Sequence, residues 1–136
     1  MDLPPEVQFL EDAGLLIYRP CGCLDETIIN KILNVIGHLE ARRKEPFNRF
    51  LDTLAADEVE LNFRYVIHVS LYRRMTYKGR PRVKSAVLAT DSSMIHFARL
   101  HALLTQGSPI NVRVFQDRVE AAEWLEVPVE LLGAEA

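Results

Sequence analysis

Residues 83–89 read Val-Lys-Ser-Ala-Val-Leu-Ala, an apolar run that ends before Asp91 and gives way to a helical pattern. A strand that is covered on both faces loses the alternation of polar and apolar residues and shows small and branched side chains instead. We therefore interpret this run as a buried parallel strand. Residues 47–52 and 110–115 also precede helical stretches, and this alternation predicts an α/β fold.

Composition limits the class of protein. The chain has 136 residues, 49% hydrophobic and 26% charged, which fits one globular domain over 1–136. No apolar run approaches the roughly 20 residues that a membrane helix needs, so we expect no membrane insertion. A net charge of −3 makes nucleic acid an unlikely partner. Two cysteines and an N-terminus without a secretory pattern favour a cytoplasmic location.

The N-terminal half predicts a hairpin followed by a helix. Residues 7–10 and 14–18 have strand character, and Gly14 relaxes the turn before the second strand. Pro20 ends that strand, and the first helix starts near Asp25, whose carboxylate can cap free backbone N–H groups. An apolar stripe then continues for about four turns, which predicts a helix packed on a sheet.

Residues 61–71 fit two periods, one typical of a strand and one typical of a helix. We predict a helix capped by Asn62, because a crossover must precede the buried strand at 83–89. A third helix capped by Asp91 or Ser92, an outer strand at 110–115 and a short helix after Asp117 follow. We expect residues 127–136 to form a loosely packed tail.

Three stretches carry a resemblance to a known family. They are Gly-Cys-Leu-Asp-Glu-Thr at 22–27, Val-Arg-Val-Phe at 112–115 and Ala-Ala-Glu-Trp-Leu at 121–125. With the element order ββαβαβαβα, they resemble the STAS fold, named for sulfate transporters and anti-sigma-factor antagonists. The chain is most similar to an uncharacterised bacterial, anti-sigma-factor-antagonist-like (SpoIIAA-like) branch that is grouped with lipid-binding CRAL-TRIO folds. The resemblance implies a mostly parallel five-stranded sheet with an antiparallel first strand and four helices.

The chain departs from the phosphoswitch members of that family. In those antagonists a serine is phosphorylated at the start of the helix after the third strand. Here residues 52–58 read Asp-Thr-Leu-Ala-Ala-Asp-Glu, without serine or glycine, and Asp-Ser-Ser-Met at 91–94 comes one βα unit too late. We therefore expect no phosphoserine switch, and we interpret Asp91 and Ser92 as helix caps.

Catalytic and metal-binding patterns are weak throughout the chain. Cys21 and Cys23 lack the further ligands that a structural zinc site requires. A reactive thiol with its pKa lowered at the helix start remains a minor alternative. Ser92 or Ser93 with His96 and Asp91 lacks the nucleophile elbow of a hydrolase. We predict no catalytic, cofactor or metal site, with residues 57–60 keeping a loop surface hydrated, and we predict that the protein is not an enzyme.

Two surfaces are candidates for binding. A basic cluster with interleaved tyrosines could bind an anion or an acidic partner, although a solvated helix end and loop is the simpler explanation. The predicted helix over 63–72 is apolar on more than one side, which implies burial on two sides. The second side would be a subunit interface or the wall of a lipid-like pocket. The basic residues are Arg73, Arg74, Lys78, Arg80 and Arg82, and the candidate partner or ligand surface comprises Phe63, Tyr65, Val66, Val69 and Tyr72.

The function that these observations favour is non-catalytic. We expect a STAS-type regulatory or interaction module whose partner is a protein of unknown identity, with a homodimer through the 63–72 helix as one form of that interaction. The alternative is a domain that binds an apolar or anionic, lipid-like small molecule with the same helix and the basic loop. An enzyme ranks third.

Overall fold

A computed structural model describes residues 3–133. Seven strands and four α-helices alternate along these residues, and a short 3₁₀ helix follows the last of them. The elements are β1 (Val7–Leu10), β2 (Leu15–Tyr18), β3 (Gly22–Asp25), α1 (Glu26–Arg42), β4 (Asn48–Asp52), β5 (Ala56–Glu60), α2 (Phe63–Thr76), β6 (Val83–Leu88), α3 (Ser92–Leu104), β7 (Ile110–Phe115), α4 (Arg118–Leu125) and the 3₁₀ helix Val129–Leu132.

The main sheet has five strands in the order β1-β2-β4-β6-β7. Only β1 runs antiparallel, against β2, and the other neighbours are parallel. The predicted five-stranded, mostly parallel sheet with an antiparallel first strand is therefore confirmed. So is the prediction of four helices.

The stretch at 83–89 forms the buried strand that its composition predicts. Its side chains alternate between two covered faces. Val83 and Val87 belong to the apolar cluster that includes α3, whereas Ala86 and Leu88 pack in the cluster that includes α4. Burial on both faces explains why the run shows no polar alternation.

Two short strands were not predicted. Parallel pairing of β3 with β5 forms a separate two-stranded sheet beside the main one. The prediction that residues 57–60 belong to a loop is therefore wrong. Neither strand has a strong strand composition, because β3 starts with a glycine and β5 reads Ala-Asp-Glu-Val-Glu. Packing of Leu24, which is fully buried, with Val59 stabilises the pair instead.

Each of the four α-helices starts at a side-chain cap that the sequence indicates. In each first turn a backbone N–H donates a hydrogen bond to the cap side chain. The acceptors are the carboxylates of Asp25, Asp91 and Asp117 and the amide oxygen of Asn62. The ambiguous stretch at 61–71 is therefore helical from Phe63, as predicted. Of the two candidate caps for α3, Asp91 is the one that makes the bond.

The C-terminal segment differs from its prediction. Residues 127–133 do not form a loose tail, because Val129–Leu132 is a 3₁₀ helix and Leu132 is fully buried. Arg19 and Arg118 hold the segment in place, since both donate hydrogen bonds to the Leu132 carbonyl. The rest of the predicted tail, 134–136, lies outside the described residues. Across residues 3–133, no helix has the length and apolarity to cross a membrane.

Candidate functional site

Helix α2 presents polar side chains to the interior. It packs against α3, and the rings of Phe63 and Phe97 lie 5.1 Å apart at this contact. Its buried residues are Val66, Ser70 and Arg73, which recur at helical spacing and so share one face. A helix packed on a sheet ordinarily directs apolar residues inward. The inward Ser70 and Arg73 therefore indicate a polar feature beneath α2.

A mainly apolar cavity of about 120 Å³ lies between the sheet and the first three helices. All three helices and the central strands contribute to its walls, and the cavity is partly open to solvent. Its apolar lining includes Leu16, Phe50 and Val87 from the sheet, Ile29, Ile32, Leu33 and Ile36 from α1, Val66 and Val69 from α2, and Met94, Phe97 and Ala98 from α3.

Two arginines also line this cavity. Arg49 projects from β4 and is only 4% exposed, and Arg73 projects from α2 and is 8% exposed. Both guanidinium groups lie 5.6 Å from the centre of the Tyr77 ring, and Arg49 also lies 4.8 Å from that of Phe47. The cavity therefore has an apolar body and a cationic wall.

The carboxylate of Glu40 pairs with two of the nearby arginines. Glu40 of α1 pairs with Arg49 Nη2 and accepts the Tyr77 hydroxyl. Its other oxygen lies 3.3 Å from Nη1 of the half-exposed Arg80. Arg49 Nε, Arg49 Nη1 and Arg73 Nη2 are buried without a hydrogen-bond partner among residues 3–133. Buried charges are normally paired and hydrogen-bonded. This wall therefore has buried N–H donors that lack an acceptor.

Burial and like charge shift the pKa values in this region. The pKa of Arg73 is lowered, first by burial and then by the charge of Arg49. Burial, with a smaller effect of Arg73, lowers the pKa of His101 on α3 to about 3. His101 is therefore neutral near pH 7, and its Nδ1 lies 2.7 Å from Ser70 Oγ. Because Ser70 donates to the Val66 carbonyl, its hydroxyl oxygen is free to accept from His101.

The predicted partner or ligand surface divides between two sides of α2. Tyr65, Val66 and Val69 line the cavity, whereas Phe63 and Tyr72 are exposed. Tyr65 also donates a hydrogen bond of 2.7 Å to Asn30 on α1. Its pKa is raised to about 12, chiefly by burial and also by Glu26. This one stretch therefore forms both a cavity wall and an outer surface.

That outer surface is apolar. Phe63 is 57% exposed and Met75 is 76% exposed, and further apolar side chains on α2 and one on α3 are also exposed. In the single chain this second side of α2 is exposed, so its predicted burial in a subunit interface stays a prediction. We call this group of exposed residues the α2 outer face; it consists of Phe63, Ile67, Leu71, Tyr72 and Met75 with Leu103 of α3.

The predicted basic residues do not form one cluster. Arg73 faces the cavity, while Arg74 donates to the Leu104 and Gln106 carbonyls near the end of α3. Arg80 pairs with Glu40, and Lys78 and Arg82 are exposed. Only Arg73 and Arg80 lie near the cationic wall.

Three residues of the site were missed by sequence reasoning: Arg49, Glu40 and His101. The sequence contains one signal for Arg49, because it is a basic residue between Phe47 and Phe50 in the predicted strand 47–52. Arginine is seldom fully buried unless it is paired. Glu40 and His101 resemble ordinary surface positions of amphipathic helices, and only the packing of α1 and α3 brings them near Arg49 and Arg73.

A second group of polar residues lies on the small sheet. Ligand atoms of Cys23, Glu58 and Glu60 lie within 4.8 Å of one another. The pKa of the Cys23 thiol is raised by loss of hydration and by Glu60. The alternative of a thiol with a lowered pKa is therefore wrong for Cys23. A raised pKa also disfavours the thiolate that would bind a soft metal.

The end of β4 is occupied by structural contacts. The buried carboxylate of Asp52 lies 2.5 Å from Arg118 Nη2 and 3.4 Å from Arg19 Nε. Thr53 is buried, and its hydroxyl donates to the Leu88 carbonyl at 2.8 Å. Residues at the start of the loop after β4 thus serve as connections between strands and the C-terminal segment.

Comparisons with known proteins define the fold. The chain is similar to the crystal structure of an uncharacterised protein of the DUF3478 family from Shewanella loihica PV-4, which has a SpoIIAA-like fold. The TM-score is 0.54 at 15% sequence identity, over 88% of this chain and 90% of that one. No family model matches the sequence, and no curated protein matches it. The chain therefore has a SpoIIAA-like fold, the fold of STAS-type modules, as the resemblance implied.

Proposed function

We propose that this protein is a non-catalytic STAS-type module that holds a small, largely apolar molecule between its sheet and helices α1 to α3. The observation that carries the proposal is the 120 Å³ cavity. Interiors of folded proteins are close-packed, and voids larger than a water molecule are few. An engineered cavity of about 150 Å³ is large enough to bind benzene. A natural cavity of nearly this size supports a role in binding.

The module acts without a phosphoserine switch in this proposal. Thr53 is the hydroxyl residue nearest the end of β4, and it is buried with its hydroxyl committed to Leu88. Asp91 caps α3, which gives the Asp-Ser-Ser stretch a structural role. These structural roles of Thr53 and Asp91 are consistent with a module that acts without a phosphoserine.

Toluene is a suitable neutral probe for the cavity. We expect the melting temperature of the wild-type protein to rise with toluene concentration, by about 3 to 5 °C per kcal/mol of binding stabilisation. Ala98 is buried on α3 and lines the cavity. Ala98→Leu fills part of the cavity and should abolish the rise, whereas Ala41→Leu on an exposed part of α1 should retain it. An unchanged wild-type melting temperature at saturating toluene would contradict the proposal.

A second candidate is a protein-interaction module that associates through the α2 outer face, with a homodimer as one form. Contiguous exposed apolar patches are uncommon on monomers and often mark interaction sites. Ile67 and Leu71 lie near the middle of this surface. If it is an interface, Ile67→Glu should lower the mass measured by analytical ultracentrifugation and leave the melting temperature of the monomer nearly unchanged. A wild-type protein that is monomeric at high concentration would contradict the homodimer.

A further inference from the structure

We propose that the molecule held in this cavity is a small monocarboxylate whose carboxylate binds Arg73 and Arg49 and whose ring or short chain fills the apolar part. This inference rests on the proposed function and specifies the class of ligand. Two guanidinium groups from different elements, each more than nine-tenths buried, line the same cavity. Each has at least one buried nitrogen without a partner among residues 3–133.

The charge of the ligand follows from the pairing around Glu40. Arg49 and Arg73 are the two buried cations, and Glu40 is the carboxylate that neutralises one of them. Arg80 also pairs with Glu40, but it is half-exposed, so solvent screens its charge. One uncompensated buried charge therefore remains. A monoanion such as a carboxylate balances this charge, whereas a phosphate dianion would leave an excess negative charge.

The number of free donors agrees with this assignment. Arg49 donates its Nη2 to Glu40 and keeps Nε and Nη1 free, while Arg73 keeps Nη2 free. Carboxylate oxygens accept such charge-assisted bonds, which are about twice as strong as neutral ones. The lowered pKa of Arg73 has the charge of Arg49 as its second cause, and an anion between the two groups would relieve that repulsion.

The size of the ligand follows from the volume. At about 120 Å³ the cavity is slightly smaller than one of about 150 Å³ that accepts benzene. An apolar group of about six carbon atoms would therefore fill this volume. Arg49 also lines an outer pocket together with Glu40, Tyr77 and Arg80. This position places the carboxylate at the end of the cavity nearer that pocket.

The test compares acids with neutral molecules of nearly the same shape. Titrations of wild-type protein with benzoate and hexanoate, and with benzamide and hexanamide, are followed by calorimetry at constant ionic strength. We expect at least one acid to bind about tenfold tighter than its amide, or more, since a hydrogen bond to a charged group contributes about 1.5 to 3 kcal/mol. Acetate at the same concentration serves as the control for anion binding without an apolar part.

Variants of α2 test whether the preference for the acid over the amide depends on Arg73. Arg73→Met should remove the preference for the acid while toluene still raises the melting temperature. Arg64→Met, at an exposed position on the same helix, should keep the preference. If toluene binds but acids and amides bind equally, the inference is overturned and the proposed cavity function stands. If toluene also fails to bind, both fail. Equal binding of acetate and hexanoate would overturn the apolar part of the inference.

Discussion

Arg73 has an unusual position for its residue type. It lies on the inward face of a helix, it is 8% exposed, and one of its nitrogens has no partner within residues 3–133. Replacing a buried charge by an apolar residue of similar size is often neutral or stabilising. The buried charge of Arg73 is expected to lower the free energy of unfolding. Functional sites commonly reduce stability in this way, so the position of Arg73 fits a role in binding.

The first prediction concerns the stability that the protein loses by burying the Arg73 charge. Arg73→Met should raise the free energy of unfolding of the ligand-free protein by about 1 kcal/mol or more, because it removes a desolvated cation that Arg49 repels. Urea unfolding of the variant beside Arg64→Met provides the measurement. A loss of more than about 1 kcal/mol specific to Arg73→Met would show that Arg73 is a structural residue.

The second prediction concerns His101 and acid. Its folded-state pKa of about 3 lies below the ordinary value of 6.5, so the unfolded state takes up the proton first as the pH falls. The free energy of unfolding should therefore decrease below pH 6.5, by up to about 1.4 kcal/mol per pH unit until the pH approaches 3. Arg73 is the charge that disfavours the imidazolium form in the folded state.

Variants separate this effect from the titration of carboxylates. His101→Gln keeps a polar group beside Ser70 and removes the titration, so its stability should depend less on pH between 6.5 and 4. His68→Gln, at an exposed position on α2, should retain the wild-type dependence. Identical pH profiles for wild type and His101→Gln would contradict a buried neutral histidine.

At the scale of secondary-structure elements, the start of α3 allows a test of whether residues 91–93 have a structural or a regulatory role. The Asp91 carboxylate accepts the Met94 N–H at 2.9 Å, and Ser92 and Ser93 are exposed. Asp91→Ala should lower the free energy of unfolding by about 1 kcal/mol, the usual cost of losing an N-cap. Ser92→Ala is the matched control and should change it by less than about 0.5 kcal/mol. A larger loss for Ser92→Ala would contradict the assignment of Asp91 as the cap.

Elements that depend on local sequence could be predicted, and those that depend on distant pairing could not. The caps at Asp25 and Asn62 and the apolar composition of 83–89 are local, and they marked the starts of α1 and α2 and identified β6. The helical state of 61–71 followed instead from the need for a crossover before β6. The small sheet was missed because β3 and β5 gain their stability from each other across more than 30 residues of chain. The 3₁₀ helix was missed because its anchor, Arg19, belongs to a distant part of the sequence.

At the scale of the whole molecule, the sheet separates two different environments. Helices α1, α2 and α3 cover one face and line the cavity, whereas α4 and the 3₁₀ helix pack with the other face. The cavity could not be predicted, because α1, α2, α3 and the sheet all contribute to its walls. Sequence patterns identified which face of each helix is apolar, but not the space left between those faces.

The two faces of the sheet allow hydrogen exchange to be compared between helices near the cavity and a helix away from it. Ligand binding should slow amide hydrogen exchange in α2 and α3, whose side chains line the cavity, because the bound state opens less often. Helix α4 lies on the opposite face and should show a smaller change. Hydrogen exchange with and without saturating benzoate measures this difference. Equal protection of α4 and α2 would indicate global stabilisation, and protection of α4 alone would place the ligand outside the cavity.

The central claim is that a small molecule occupies the cavity beneath α2. Native mass spectrometry of the purified protein, beside a denaturing run of the same sample, tests it most directly. The account predicts an adduct of the size of a small carboxylate, either as purified or after incubation with benzoate, that disappears on denaturation and in Ala98→Leu. A bare protein mass under both conditions, with benzoate and toluene present in excess, would contradict it.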